Sequence, residues 1–175
     1  PSCYTPPPVN AMKPAQHPTA LRTQQLLVEA GINTQVVEFE LPTRTSAEAA
    51  TAVGCAIAEI AKSVVFRAKT SGQAVVVASG DNRVCEEKVA KLVGEKLGRA
   101  NADFVRESTG YAIGGVSPLG HASPVKMILD ADLQVFTTVW AAGGTPFSVF
   151  PLTPNELEKL TGANWADIRL ESLPT

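Results

Sequence analysis

Two runs of β-branched residues, AKSVVFRAK (61–69) and QAVVVAS (73–79), are separated only by Thr70, Ser71 and Gly72. Three residues cannot carry a crossover, so the two runs must pair antiparallel as a hairpin. Elsewhere helical and strand patterns are interspersed. Helices are expected over 19–31, 46–54, 81–94, 101–110 and 153–162, and strands over 33–41, 125–130, 135–142 and 146–152. Ser46 and Thr153 stand at N-cap positions, with Glu156 placed for a capping box. The hairpin and the three late strands break any strict β-α-β alternation. The fold class this predicts is a mixed α/β domain with a strongly curved sheet and helices packed around it, rather than a doubly wound parallel sheet.

A length of 175 residues, 45% hydrophobic and 18% charged, suits one globular domain with a sizeable core. The formal net charge of −2 is wrong for a nonspecific nucleic-acid binder, so DNA is not an expected partner and any RNA contact must be local. Cys3, Cys55 and Cys85 form no C-x-x-C pair and are odd in number, which fits reduced thiols and a cytoplasmic location. No apolar run approaches the ~20 residues of a membrane span, so no membrane partner is expected. Nor does the N-terminus follow the basic-then-apolar order of a signal peptide. Five prolines among the first fourteen residues predict an extended, poorly ordered arm over 1–18, leaving 19–175 as the domain.

Few residues carry obvious chemistry. In a strand over 62–69, Lys62 shares a face with Val64, Phe66 and Ala68. It either snorkels to the strand end or serves as a cation for an anion at the strand mouth. Gly114-Gly115 allows backbone to approach a ligand and aim amides at it, or else makes a plain turn before the next strand. Gly143-Gly144 is open to the same two readings, a binding turn or a hairpin. Of the two histidines, His121 beside the glycine loop is the better site candidate, and His17 lies in the arm. Asp81 reads as a turn and helix cap, and Asp130 and Asp132 as solvated or turn-forming. No metal-ligand cluster or G-x-x-x-x-G-K-[ST] motif is present, so neither a metal nor a nucleotide cofactor is expected.

Three segments in order, IAKSVVF (60–66), STGYAIGGVSPLG (108–120) and VWAAGGTPFSVFPLTPNELEKLTGANWADI (139–168), resemble the YbaK/EbsC family. Its members are free-standing relatives of the editing domain inserted in bacterial prolyl-tRNA synthetase. The likeness runs from Thr19 to Ile168 and implies a compact α/β domain around a barrel-like mixed sheet. It also implies a trans-editing aminoacyl-tRNA deacylase that hydrolyses the ester of a mischarged tRNA at its 3′ end. By position, Lys62 is the family's functional lysine, and Gly114 to Pro118 its G-x-x-x-P substrate loop. Lys62 and Gly114 are thus the expected catalytic residues. Gly115, Val116, Ser117, Pro118, His121, Ala142, Gly143 and Gly144 are expected to bind substrate. Some relatives place a histidine, serine or threonine where this chain has Ala141 and Ala142, which argues against a side-chain donor there and for a small or medium amino acid. The acidic composition favours an aminoacyl-tRNA synthetase as a second partner. A competing expectation is a non-catalytic module that binds tRNA ends or a synthetase on the same fold.

Overall fold

The computed structural model describes residues 12–171. Nine strands among them form one mixed sheet: β1 (Met12–Pro14), β2 (Val37–Phe39), β3 (Ile60–Ala68), β4 (Gly72–Ser79), β5 (Leu97–Arg99), β6 (Lys126–Asp130), β7 (Val139–Ala142), β8 (Ser148–Leu152) and β9 (Asn164–Ala166). Their order is β1-β2-β8-β7-β3-β4-β6-β9, with β5 also paired to β3. The expected mixed sheet is therefore present. β3 and β4 form the predicted hairpin from Ala61 opposite Ser79 to Ala68 opposite Gly72, whereas β3–β7, β4–β6 and β6–β9 are parallel. Of the proline-rich stretch, residues 1–11 lie outside the described residues. Met12–Pro14, expected within an extended, poorly ordered arm, pairs antiparallel with β2.

β4 lies inside the sheet, and Ala74–Ala78 are wholly buried. Both of its faces are covered, which explains why its sequence is continuously apolar. Val77 packs with Leu27, Leu129, Phe150 and Leu157 on one side, and Val76 and Ala78 with Phe66, Val89, Ile128 and Ile168 on the other.

Five helices flank the sheet: α1 (Pro18–Glu29), α2 (Ser46–Val53), α3 (Glu86–Val93), α4 (Ala102–Thr109) and α5 (Pro154–Thr161). Several differ from the sequence expectation. The spacing of Leu21, Leu26 and Leu27 suggests one inner face for α1, but it buries Ala20, Thr23 and Leu27, spaced i, i+3, i+7, while Leu21 faces solvent. The cap of α2 is Thr45, whose hydroxyl accepts the Glu48 amide; Ser46 is the first helical residue. α3 begins only at Glu86, so Asp81 is not its cap, and of the positions whose spacing suggests an inner face, Val84, Val89, Leu92 and Val93, Leu92 is exposed. The expected strand over 135–142 is reduced to β7, because a 3-10 turn occupies Ala131–Val135. The capping box of α5 forms as expected: Thr153 and Glu156 exchange hydrogen bonds of 2.9 and 3.1 Å. Cys55 and Cys85 are both free thiols, and Cys3 lies outside the described residues.

The hairpin tip is fastened by Glu95, whose Oε1 accepts the amides of Thr70 at 2.5 Å and Ser71 at 2.8 Å. Hydrogen bonds from Ser71, then Thr70 and Lys126, hold its carboxyl down at about 2. A carboxylate depressed on folding stabilises the fold above its unfolded value of about 4.3, and that contribution is lost as pH falls through the folded value. Glu95→Gln should therefore be less stable than wild type at neutral pH, and the gap in thermal midpoint should close between about pH 4 and pH 2. Thermal melts of both proteins across that range check this.

Candidate active site

β3 organises the site because one of its edges is shared by two strands. Ile60 and Ala61 pair in parallel with β7, and Phe66–Ala68 pair with β5. Between them Lys62–Val65 has no strand partner on that edge among the described residues. The glycine loop enters this interruption, where Val116 and Tyr111 pack with Val65 and Val105. The Tyr111 hydroxyl donates to the Leu119 carbonyl at 2.6 Å and ties the loop to itself.

A cavity of about 340 Å³ opens there. Ile60–Ser63 of β3, Trp140 and Ala142 of β7, and Ser148 and Val149 of β8 form three of its walls. Gly114 and Val116 form another, and Thr43–Ser46 with Ala49 of α2 close the last. No histidine, cysteine or carboxylate lines it. The amides of Gly114 and Val116 donate to no described residue, while the Gly115 amide closes a turn onto the Ala112 carbonyl at 3.0 Å. The amides of Gly114 and Val116, the unpartnered Ser63 hydroxyl and, beyond its bond to Asn82, the Lys62 ammonium are thus the polar groups free to meet an anion from the loop and strand sides. The Ser148 hydroxyl is already bound to Thr145, at 2.8 Å.

The stem of Lys62 lines the cavity and also an adjoining groove with Val64, Phe66 and Arg83. Its Nζ reaches the end of β4 and donates to the Asn82 carbonyl at 2.7 Å. Burial pushes the ammonium below the ordinary lysine value, partly offset by the Asp130 carboxylate. Asp130, expected to be solvated or turn-forming, is the second: it is 1% exposed, and its Oδ1 accepts the Asp132 amide at 3.0 Å. It accepts the Ser79 amide and the Asn82 side-chain amide, both at 2.9 Å, while Asp132 accepts the other Asn82 proton at 2.8 Å. These carboxylates fix Asn82, and Asn82 holds the lysine.

Of the residues expected to form the site, Lys62, Gly114, Val116 and Ala142 meet in this cavity. Six others do not line it. A Cβ on Gly115 would lie 2.6–2.9 Å from the Thr145–Pro146 backbone, so that glycine serves a close chain crossing. Gly143 and Gly144 are buried in a turn against Val36, Ser148, Thr19 and Thr23, which is packing rather than a binding turn. Ser117 is fully buried, and its carbonyl is bonded to His121 Nε2 at 2.7 Å. Pro118 and His121 line a separate cavity of about 360 Å³, and burial there pushes the imidazole below its ordinary value. Ala141 points into the core, so only Ala142 of that pair faces the site. Sequence reasoning missed Thr43–Ser46, Ser63, Trp140 and Ser148. The turn residues of LPTRTSAEA were the one available signal, and they read as a helix start alone.

A mixed sheet with an interrupted central edge, a glycine loop set into it and a lysine at the strand mouth define a small α/β domain with a cavity against that edge. The chain belongs to the aminoacyl-tRNA editing domain family, whose model matches residues 40–160. It is 36% identical over 134 residues to the uncharacterized protein YwhH of Bacillus subtilis, covering 76% of this chain and 85% of that one. A crystal structure described as a candidate trans-editing enzyme for prolyl-tRNA synthetase superposes with a TM-score of 0.83 at 46% identity, covering 90% of this chain and all of that one. The proline–tRNA ligase of Xanthomonas campestris is 28% identical over 158 residues, 89% of this chain but only 24% of the ligase. The chain is thus similar to one segment of that much longer protein. No helix among the described residues is long and apolar enough to cross a membrane.

Proposed function

We propose that this chain is a cytoplasmic trans-acting deacylase that hydrolyses the ester between a wrongly attached amino acid and the 3′-terminal ribose of tRNA. The observation that carries this is the cavity where Lys62, Gly114 and Val116 converge on an apolar wall with no acid–base pair. An aminoacyl ester is already activated, and a ribose hydroxyl lies beside its carbonyl, so positioning and charge stabilisation suffice. Water adds to the carbonyl carbon, the bond from that carbon to the ribose oxygen breaks, and the proton passes to the ribose oxygen. Free amino acid and tRNA leave. The amides of Gly114 and Val116 meet the developing oxyanion, and Lys62 supplies positive charge at the strand mouth. The likeness to a candidate trans-editing enzyme and to a segment of a proline–tRNA ligase supports mischarged tRNA as substrate and a synthetase as presenting partner.

The test is release of amino acid from a panel of mischarged tRNAs, with and without a chelator. Hydrolysis of at least one pair, undiminished by the chelator, is expected. Binding of the same tRNAs without hydrolysis would instead favour a non-catalytic module. With a net charge of −2, the isolated protein should show a shallow fall of log affinity with log salt and little dependence on the body of the tRNA.

Ala142 sets the pocket size together with Ala49, Ala61 and Val149. Ala142→Val should shift preference toward smaller amino acids by about 10-fold, because a methylene-scale change in such a pocket is worth about 1–3 kcal/mol. Relative kcat/KM for two amino acids on one tRNA measures it.

A further inference from the structure

The loop after β4 holds one main-chain carbonyl still. The Asn82 side-chain amide has two protons, and each meets a carboxylate, Asp130 at 2.9 Å and Asp132 at 2.8 Å. Its main-chain amide donates to the Ser79 carbonyl, also at 2.9 Å. Asp130 is itself braced by three donors: the Asn82 side chain, the Ser79 amide and the Asp132 amide. The Asn82 carbonyl, fixed by these bonds, accepts Lys62 Nζ at 2.7 Å. Lys62 has no other anchor among the described residues, and no carboxylate among them comes within ion-pair distance of its ammonium. Its four-carbon stem is flexible and has two spaces open to it, the main cavity and the adjoining groove. The charged groups around it are Asp130 at the end of β6, Asp81 and Arg83 after β4, Glu86 and Glu87 across the groove, and Arg44 across the cavity.

We infer that Asn82 is a positioning residue: clamped by Asp130 and Asp132, it fixes the carbonyl on which the Lys62 ammonium rests, and so keeps that positive charge at the mouth of the cavity. The inference rests on the deacylase reading for its consequence in turnover, while the placement of the charge does not. The residue type fits the task. An amide offers two donors to two carboxylates, whereas serine offers one and an ionised aspartate none. Without the clamp the carbonyl can shift, and the ammonium can follow it or swing into the groove toward Glu86 and Glu87. A charge held in advance is what stabilisation of a developing oxyanion requires.

The experiment compares the wild type, Asn82→Ser, Lys62→Met and the double variant, each as full-length protein with isotope-labelled lysine side chains. Lys62→Met identifies the Lys62 resonance by its loss. A carbonyl that accepts from the ammonium favours the charged form. Loosening it in Asn82→Ser should therefore shift the Lys62 resonance and lower the pH at which it titrates. The single-turnover rate should fall by about 10–100-fold, the scale of a misplaced catalytic group, with substrate affinity unchanged. Its alkaline decline should begin at lower pH. In the Lys62→Met background Asn82→Ser should cost nothing further, because residues acting as one unit are not additive. Asp132→Ala releases one of the two clamps at an exposed position. It should move the same resonance in the same direction by less, and it carries the test if Asn82→Ser does not fold. A Lys62 titration unmoved in a folded variant, or losses that multiply in the double variant, would overturn the role. If the Lys62 resonance moves as described yet the wild type releases no amino acid from any mischarged tRNA, the positioning stands and the deacylase reading falls.

Discussion

Lys62→Ala should leave a folded protein that releases amino acid from mischarged tRNA roughly 10²–10³-fold more slowly, the usual effect of deleting one preorganised charge-stabilising donor. The position of the side chain explains why the fold should survive. Lys62 makes a single hydrogen bond, to the Asn82 carbonyl, and Asn82 keeps its two carboxylate partners without it. Its charge is disfavoured by burial, so its folded pKa lies below its unfolded one. The sign of the linkage then follows: the protonated lysine costs stability at every pH below the folded pKa, and that cost is relieved as pH rises through it. Lys62→Met, which keeps the stem and removes the charge, should be no less stable than wild type at neutral pH while sharing the catalytic loss. If Lys62 acts as a cation, the rate after subtraction of spontaneous hydrolysis should decline on the alkaline side earlier than an ordinary lysine would allow. Single-turnover rates and thermal melts on the same two variants separate the effects. A folded Lys62→Ala protein with wild-type rates removes the lysine from the mechanism.

What the sequence revealed of this site depended on the kind of signal each residue carries. The hairpin and the face Lys62 shares with Val64 and Phe66 follow from a three-residue connection and strand periodicity, both local, and both are found as expected. The interruption on the β3 edge is different. It exists because β7 and β5 arrive from distant parts of the chain and take opposite ends of the same edge, and no local pattern encodes that. Asp130 shows the same limit from the polar side. A carboxylate at a strand end reads as solvated or turn-forming, and it does cap the turn at Asp132, but its burial beside the loop carrying Asn82 has no local signal. Glycine pairs were the least legible feature. The sequence marks where backbone comes close to something, and only the fold shows whether that is a ligand or another segment of the chain.

Gly114 and Gly115 make that distinction measurable, since they are neighbours with opposite constraints. Gly115→Val should abolish cooperative folding or leave little soluble protein. A Cβ there would lie 2.6 and 2.7 Å from backbone carbon atoms of Thr145 and 2.9 Å from the Pro146 nitrogen, none of which can rotate away. Overpacking typically costs about 1–3 kcal/mol where side chains can adjust, and more is expected where main chain must move. Thr145 and Pro146 also carry the bonds to Ser148 and Thr43, so a shift there propagates into β8 and the α2 connection. Gly114→Ala differs at each point. Its Cβ would meet only the Pro146 ring, at 3.9 and 4.0 Å, so space is not the obstacle. Its φ of +88° costs a non-glycine residue about 1–3 kcal/mol, which a folded domain can absorb. The new methyl group and any relaxation of φ fall on the cavity wall and on one of its two free amides. Gly114→Ala should therefore melt cooperatively at a lower temperature and lose kcat/KM far beyond its loss of stability, while Gly115→Val should lose both together. Denaturant unfolding followed by deacylation assays on the folded fraction tells them apart. A Gly115→Val protein that folds normally but fails to bind substrate would return that residue to the binding surface.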